Sequence, residues 1–241
     1  MKTLIEKIKS RGSYWKVLIR PANYQENLIS SLDECKLIIE QSKVRLRGWD
    51  YPYIDHREGI KAAGDNSVHS FCNWEEGSRF EYWRFYQTGQ FVHYFSMWEE
   101  LWMDEEKKNG LKRWINGLEN QKVDRFLSII STLYSITEIF EFASRMSSKI
   151  DASSFEIIIE LYGTKNMMLF FEDRFRFLHQ AYICAYEPIH IERILTKEVL
   201  LSKSSQVALD ITIEIFKKFN WDGVNKQIFT EDQKKLLERR L

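Results

Sequence analysis

Seven side chains in the N-terminal part of the chain are of the types that build a recognition site: Arg45, Arg47, Trp49, Tyr51, His56, Arg84 and His93. Arginine presents a planar fork of donors that fits a carboxylate or phosphate through two bonds at once. Tryptophan and tyrosine bring wide apolar faces, and together with arginine they dominate binding hot spots. Residues 44–54 read as an alternating strand that ends in aromatic, charged and turn residues. Alternate strand residues share a face, so Arg45, Arg47 and Trp49 go one way, and Leu46 and Gly48 go the other, toward the core. Gly48 would permit a close approach on that side. Tyr51-Pro52 then turns the chain into residues 55–66, a glycine-punctuated loop that holds Asp55, His56, Arg57 and Glu58. A carboxylate, an imidazole and a cation are groups for acid–base work, here with no partner motif beside them.

Arg84 and His93 lie in two aromatic runs, 80–86 and 91–95, joined through Thr88-Gly89. The turn decides which side chains meet. A two-residue turn sets Arg84 opposite His93. A type I turn followed by Gly89 as a left-handed bulge sets Arg84 opposite Val92 and His93 beside Trp83. Threonine suits positive φ poorly, which favours the bulge. In both registers a cation or imidazole sits among rings, either as a ligand anchor or as a buried group satisfied by a carboxylate or carbonyl.

Other chemistry finds no signature. The chain has no GxSxG elbow, no GxxxxGK[ST] loop and no GxGxxG turn. His56, His69, His93, His179 and His190 show no HxH, HxxxH or HExxH spacing, so neither a metal nor a cofactor is expected. No residue is assigned a catalytic role, and the chain reads more readily as a non-enzyme. Glu156 and Glu160 lie four apart on one strand face, as outward charges of an amphipathic strand. A hydrolase or nuclease is the alternative, with His56, His93, Arg84 and carboxylates brought together from separate strands.

These side chains need elements to position them. With 241 residues, 44% of them hydrophobic, the chain is long enough to bury a real core. Residues 14–20 form a strand stopped by Pro21. Ser31-Leu32-Asp33-Glu34 has the spacing of a capping box and opens a helix, so that with 44–54 the chain starts β-α-β. Residues 67–74, 80–87 and 90–98 read as strands. Between 99 and 122 the composition shifts to charged residues interrupted by Gly110 and Gly117, which places a boundary there. The chain then divides into an aromatic-rich α+β domain, 1–110, and a second α+β domain, 118–241. The second begins with a long helix marked by Val123, Phe126, Ile130, Leu133, Tyr134, Phe140 and Met146. A hairpin over 155–162 and 167–171 follows, then a strand over 178–186 halted by Pro188. A helix over 204–219 and another opened by the capping box Thr230-Glu231-Asp232-Gln233 close the chain. The fold class is α/β in the wide sense, specifically α+β: two mixed, mainly antiparallel sheets, each packed with helices. Seven of the eight tryptophans fall in the first 114 residues, to fill a thin core or to line a recognition surface.

Charge and cysteine content narrow the partners. Basic and acidic side chains number 35 each, and residues 1–120 carry 18 of each, so no basic half supports nucleic-acid binding. Cys35, Cys72 and Cys184 are scattered without CxxC spacing, which fits a reducing cytoplasm. No apolar run reaches the roughly 20 residues of a membrane span, and no signal peptide is read at the start.

Arg11-Gly12, the strand from Trp15 to Pro21, Arg45-Leu46-Arg47-Gly48-Trp49-Asp50-Tyr51-Pro52 and the hairpin from Tyr82 to His93 are similar to segments of a group of bacterial proteins without assigned activity. The resemblance spans residues 11–98. Some of those proteins are described as AlbA-like or Schlafen-related DNA-binding modules. The resemblance therefore implies a nucleic-acid connection and a place in a defence or regulatory system, and it supplies no catalytic residues. The expected function is a cytoplasmic bacterial recognition module. It would bind a partner protein, a small ligand or nucleic acid through an aromatic and arginine surface. A homo-oligomer with an aromatic strand edge as its interface is a further alternative.

Overall fold

The protein is α+β, with a seven-stranded antiparallel sheet, a small two-stranded parallel sheet and helices packed on them. The structure, a computed structural model, describes residues 2–10, 12–74, 79–114, 122–173 and 175–240. Arg11 and Gly117, both used in reading the sequence, lie outside the described residues.

At the centre of the large sheet is β1 (Tyr14–Pro21), whose alternation of Trp15, Val17 and Ile19 with Lys16 and Arg20 gives it one apolar face. It pairs on one side with β5 (Phe91–Ser96) and on the other with β7 (Ser154–Tyr162). Beyond β5 come β4 (Arg79–Tyr86), β3 (Ser67–Trp74) and the short β2 (Lys61–Ala62); beyond β7 comes β9 (Ile189–Thr196). Strands from residues 1–110 and from 118–241 thus share one continuous sheet. Its apolar face packs with α2 (Leu32–Ser42), α5 (Ile129–Ser147) and α6 (Lys197–Lys217) in one core that includes Val17, Phe91, Phe140, Ile159 and Phe216. On the other face, α1 (Lys2–Lys9) lays Ile5 and Ile8 against Tyr14, Phe80 and Tyr82. Glu156 and Glu160 lie on that face opposite Arg20 and Lys16, each in an ion pair, as an amphipathic strand requires.

The β4–β5 hairpin takes the bulged register: Arg84 is opposite Val92 and Trp83 is opposite His93. Gly89 has φ +78°, and a Cβ there would meet Pro21 Cγ at 3.0 Å, so both backbone and space demand glycine. Ser31 caps α2 as its spacing predicts, accepting from Glu34 N, while the Glu34 carboxylate turns back to Ser30.

Several expectations fail, some through a local bend or cap and others through pairing with distant strands. Residues 44–54 are not a strand. Val44 and Tyr51 bridge each other, with a bend between them in which Gly48 takes φ +89°. No atom lies within 4 Å of a Cβ built on Gly48, so that glycine serves the bend and not a close approach. The β-α-β start is therefore absent. In place of the hairpin 155–162/167–171, β8 (Met167–Phe170) runs parallel to β6 (Arg125–Ser128), because both edges of β7 are already occupied. The β6 strand takes the first residues of the expected long helix, and α5 begins after it. Residues 178–186 make only a bridge from Ile183 to Met168, and the strand falls after Pro188 as β9. The closing helix α7 (Lys226–Leu237) is capped by Asn225, with Thr230 inside it bonded to Lys226 O. Before α5 come the four-residue α3 (Glu99–Trp102) and α4 (Glu105–Trp114).

Ile159 is paired across β7 with Val17 and is almost fully buried. Ile159→Ala should cost about 2–5 kcal/mol by the usual penalty for an unfilled core site. Because the sheet is shared, tryptophan fluorescence and far-UV circular dichroism should shift together in urea. An unmoved fluorescence midpoint would mean that the tryptophan-rich part folds without β7.

Candidate functional site

Where β6 runs into α5, Ser128 caps the helix, with its hydroxyl accepting from Ser131 N at 3.0 Å. Two carboxylates from elsewhere in the chain share this turn. Glu99 Oε1 accepts from Ser128 N at 3.0 Å, and Glu172 Oε1 accepts from Ser131 N at 3.1 Å. They satisfy N–H groups that a helix start leaves without partners, and the helix dipole favours negative charge there. Next to them Trp98 Nε1 donates to Ser131 Oγ at 2.8 Å. Trp15 and Phe95, cross-strand neighbours on β1 and β5, stack at 6.3 Å on the sheet side.

The opposite wall is the 44–51 loop, held through Arg47. Its Nη2 lies 2.5 Å from Glu138 Oε2, its Nε is 3.2 Å from both oxygens, and Nη2 also reaches Ser135 Oγ. The guanidinium carbon is 5.1 Å from the Trp49 ring and 6.0 Å from Tyr134, so the cation is flanked by two aromatic rings. Glu138 is fully buried and Arg47 nearly so. Between these walls lies a cavity of about 420 Å³, lined by Trp15, Trp49, Trp98, Glu99, Tyr134 and Glu172 among others.

Electrostatics mark the two carboxylates. Burial pushes Glu99 up to about 8 against the pull of its backbone bonds, and the neighbouring Glu172 and Glu100 charges push the same way. Burial also raises Glu172, partly offset by the Ser131 N–H and the charge of Arg47. A carboxylate held protonated near neutral pH in a cavity is typical of functional sites.

Of the seven residues singled out from the sequence, Arg47 and Trp49 are at the cavity. Tyr51 and His93 are joined to each other, with Tyr51 Oη 3.1 Å from His93 Nδ1. On its far side His93 Nε2 is 3.0 Å from Glu81 Oε1, which also accepts from Tyr53 N at 2.8 Å. Every side chain of this chain is buried, so it is an internal strut that ties the 51–53 segment to the sheet. Arg45 is exposed, 3.9 Å from Asp50. His56 is exposed beside Tyr53, on its own loop. Arg84 lies on the opposite face of the sheet, bonded to Ser67 Oγ and Ala63 O and resting on Tyr86. The set His56, His93 and Arg84 therefore does not converge. Among the described residues no cluster of potential metal ligands occurs.

The site residues that sequence reading missed are Glu99, Glu172 and Glu138, with Trp98 and Tyr134. One signal was present: Glu138 continues the four-residue step Ile130, Tyr134, which puts a charge in line with the apolar face of α5. No family model matches the chain, nor does a curated protein or a solved structure.

Two outcomes follow from this geometry. Arg47→Met leaves Glu138 charged and unpaired in the core and should cost about 3–5 kcal/mol, whereas Arg47→Met/Glu138→Leu should recover most of it, measured by urea unfolding. For Glu99 the folded value lies above the ordinary 4.5, so its stabilising contribution is complete below that pH and is lost as pH rises toward 8. Glu99→Gln has no such proton to lose. Its melting temperature relative to the parent should therefore climb between pH 5 and pH 8, and a constant gap would contradict the assignment.

Proposed function

We propose that the protein is a recognition module that binds a small organic molecule in the cavity between the sheet and the first turn of α5. The observation that carries the reading is two carboxylates at a tryptophan-lined opening, the buried Glu99 and the exposed Glu172, with no ion pair to either among the described residues. Burying charge without an ion partner costs stability, so stability alone does not account for the arrangement. Concave, largely apolar sites with a few convergent polar groups are the usual form of small-molecule pockets. A nucleic-acid partner, which the sequence resemblance implies, is less favoured. The formal net charge is zero and the cavity presents carboxylates, which repel phosphate. All three cysteines are free and buried, which agrees with a reducing compartment as the setting. Among the described residues no helix is long and apolar enough to cross a membrane.

A second reading is favoured by the value of Glu99 alone. A carboxyl group near 8 is poised to act as a general acid on a bound molecule, with Glu172 beside it as the second carboxyl group. This hydrolase reading replaces the histidine set, and it would show as turnover lost in Glu99→Gln with binding retained.

A screen of small molecules by intrinsic tryptophan fluorescence and thermal shift tests the principal reading. Trp49→Ala should weaken any hit by about tenfold or more, equivalent to about 1.4 kcal/mol. Arg84→Ala, on the far face, should leave the same hit within a factor of about two. The reverse pattern would place binding on the wrong face of the sheet.

A further inference from the structure

Charge bookkeeping around the cavity indicates what it takes. Arg47 is neutralised by Glu138, in a pair closed by three hydrogen bonds. Glu99 and Glu172, in contrast, have no ion pair within 4 Å among the described residues; Arg47 and Arg176 act on Glu172 only from further away. Glu99 is 4% exposed and still faces the opening. The N–H groups of Ser128 and Ser131 are already taken by these same carboxylates, so an anion would find those donors spent. Around them stand the rings of Trp15, Trp49, Trp98 and Tyr134, and aromatic rings attract cations, more strongly when water is excluded.

Resting on the reading of the cavity as a ligand site, we propose that its ligand is an organic cation: an ammonium or alkylammonium group on an apolar body. Glu99 and Glu172 are the counter-charges, and Trp15, Trp49 and Trp98 form the walls. A bound positive charge offsets the cost of burying Glu99 and gives the exposed Glu172 beside it an ion partner, and the upward shift of both carboxyl groups agrees with that. The volume of about 420 Å³ admits a small molecule and excludes a folded partner.

The test uses three probes of nearly one shape and different charge: choline, 3,3-dimethyl-1-butanol and 3,3-dimethylbutanoate, each titrated by tryptophan fluorescence and calorimetry at low salt. Choline should bind about tenfold or more tighter than the alcohol, as cation–π and ionic contacts in a desolvated site predict. The carboxylate should bind least. Glu172→Gln should weaken choline while leaving the alcohol unchanged, a split that a merely structural role for Glu172 would not produce. If the alcohol or the anion binds as tightly as choline and Trp49→Ala abolishes that binding, the cationic ligand is wrong and the cavity reading stands. If none of the three perturbs the tryptophans, both fall.

Discussion

The pair between Arg47 and Glu138 is the contact on which the site depends, because the loop that carries Arg47 belongs to no sheet. Residues 44–51 have one self-made bridge, Val44 to Tyr51, and otherwise hang from side chains. A buried pair of this kind is a poor source of stability, since apolar residues of the same shape do as well or better. What it supplies is position. The guanidinium is a rigid plane, gripped by both carboxylate oxygens and by Ser135, and the Trp49 ring lies over it. Fixing the plane fixes the wall. The second tether, Tyr51 to His93 to Glu81, holds the other end of the loop to the middle of the sheet.

The start of α5 carries a second constraint. A helix that begins in the interior must find partners for its first N–H groups, and serine or threonine could supply them at little cost. Ser128 does so for one of them. Glu99 and Glu172 bring carboxyl groups to the same task, whose charged forms the helix dipole compensates in part. Burial outweighs that compensation, since Glu99 is moved upward and not downward. Glu99 is therefore more costly than capping needs, and it faces the cavity beside the exposed Glu172.

Where period and local chemistry decide, the fold was legible. Strand β1, the hairpin β4–β5 with its Gly89 bulge, the Ser31 cap and the outward Glu156 and Glu160 all follow from two-residue alternation or from a single turn residue. Where partners are distant, it was not. Phe126 and Leu127 fit a helical face as well as a strand, so β6 was hidden in the start of α5. The 155–171 segment has the look of a hairpin, but β7 is claimed on both sides by β1 and β9, a fact of topology that no local pattern contains. The site was half legible. Arg47 and Trp49 stood out by type, whereas Glu99 and Glu172 come from separate elements with no shared pattern, and Glu138 was marked only by its place in line with the apolar face of α5. His93 and Arg84 were legible by type and misleading by place, because residue type does not tell a strut from a site.

That distinction can be drawn from how completely each polar group is used. In the Glu81–His93–Tyr51 chain the groups face one another, and Tyr53 N adds a further donor to Glu81; the network closes on itself within a packed core. Such a network, enclosed in packing, holds its members in one arrangement. Arg84 is likewise engaged by Ser67 and Ala63. At the cavity the balance differs. The cation there has its anion, but two further carboxylates receive only backbone donors and have no charge opposite them among the described residues. A protein under selection for stability alone would gain by replacing the buried Glu99 with a neutral residue, as stabilising substitutions at functional sites commonly do. The presence of the two carboxylates beside an opening, with tryptophan on three sides, is what separates this place from the other polar constellations of the molecule.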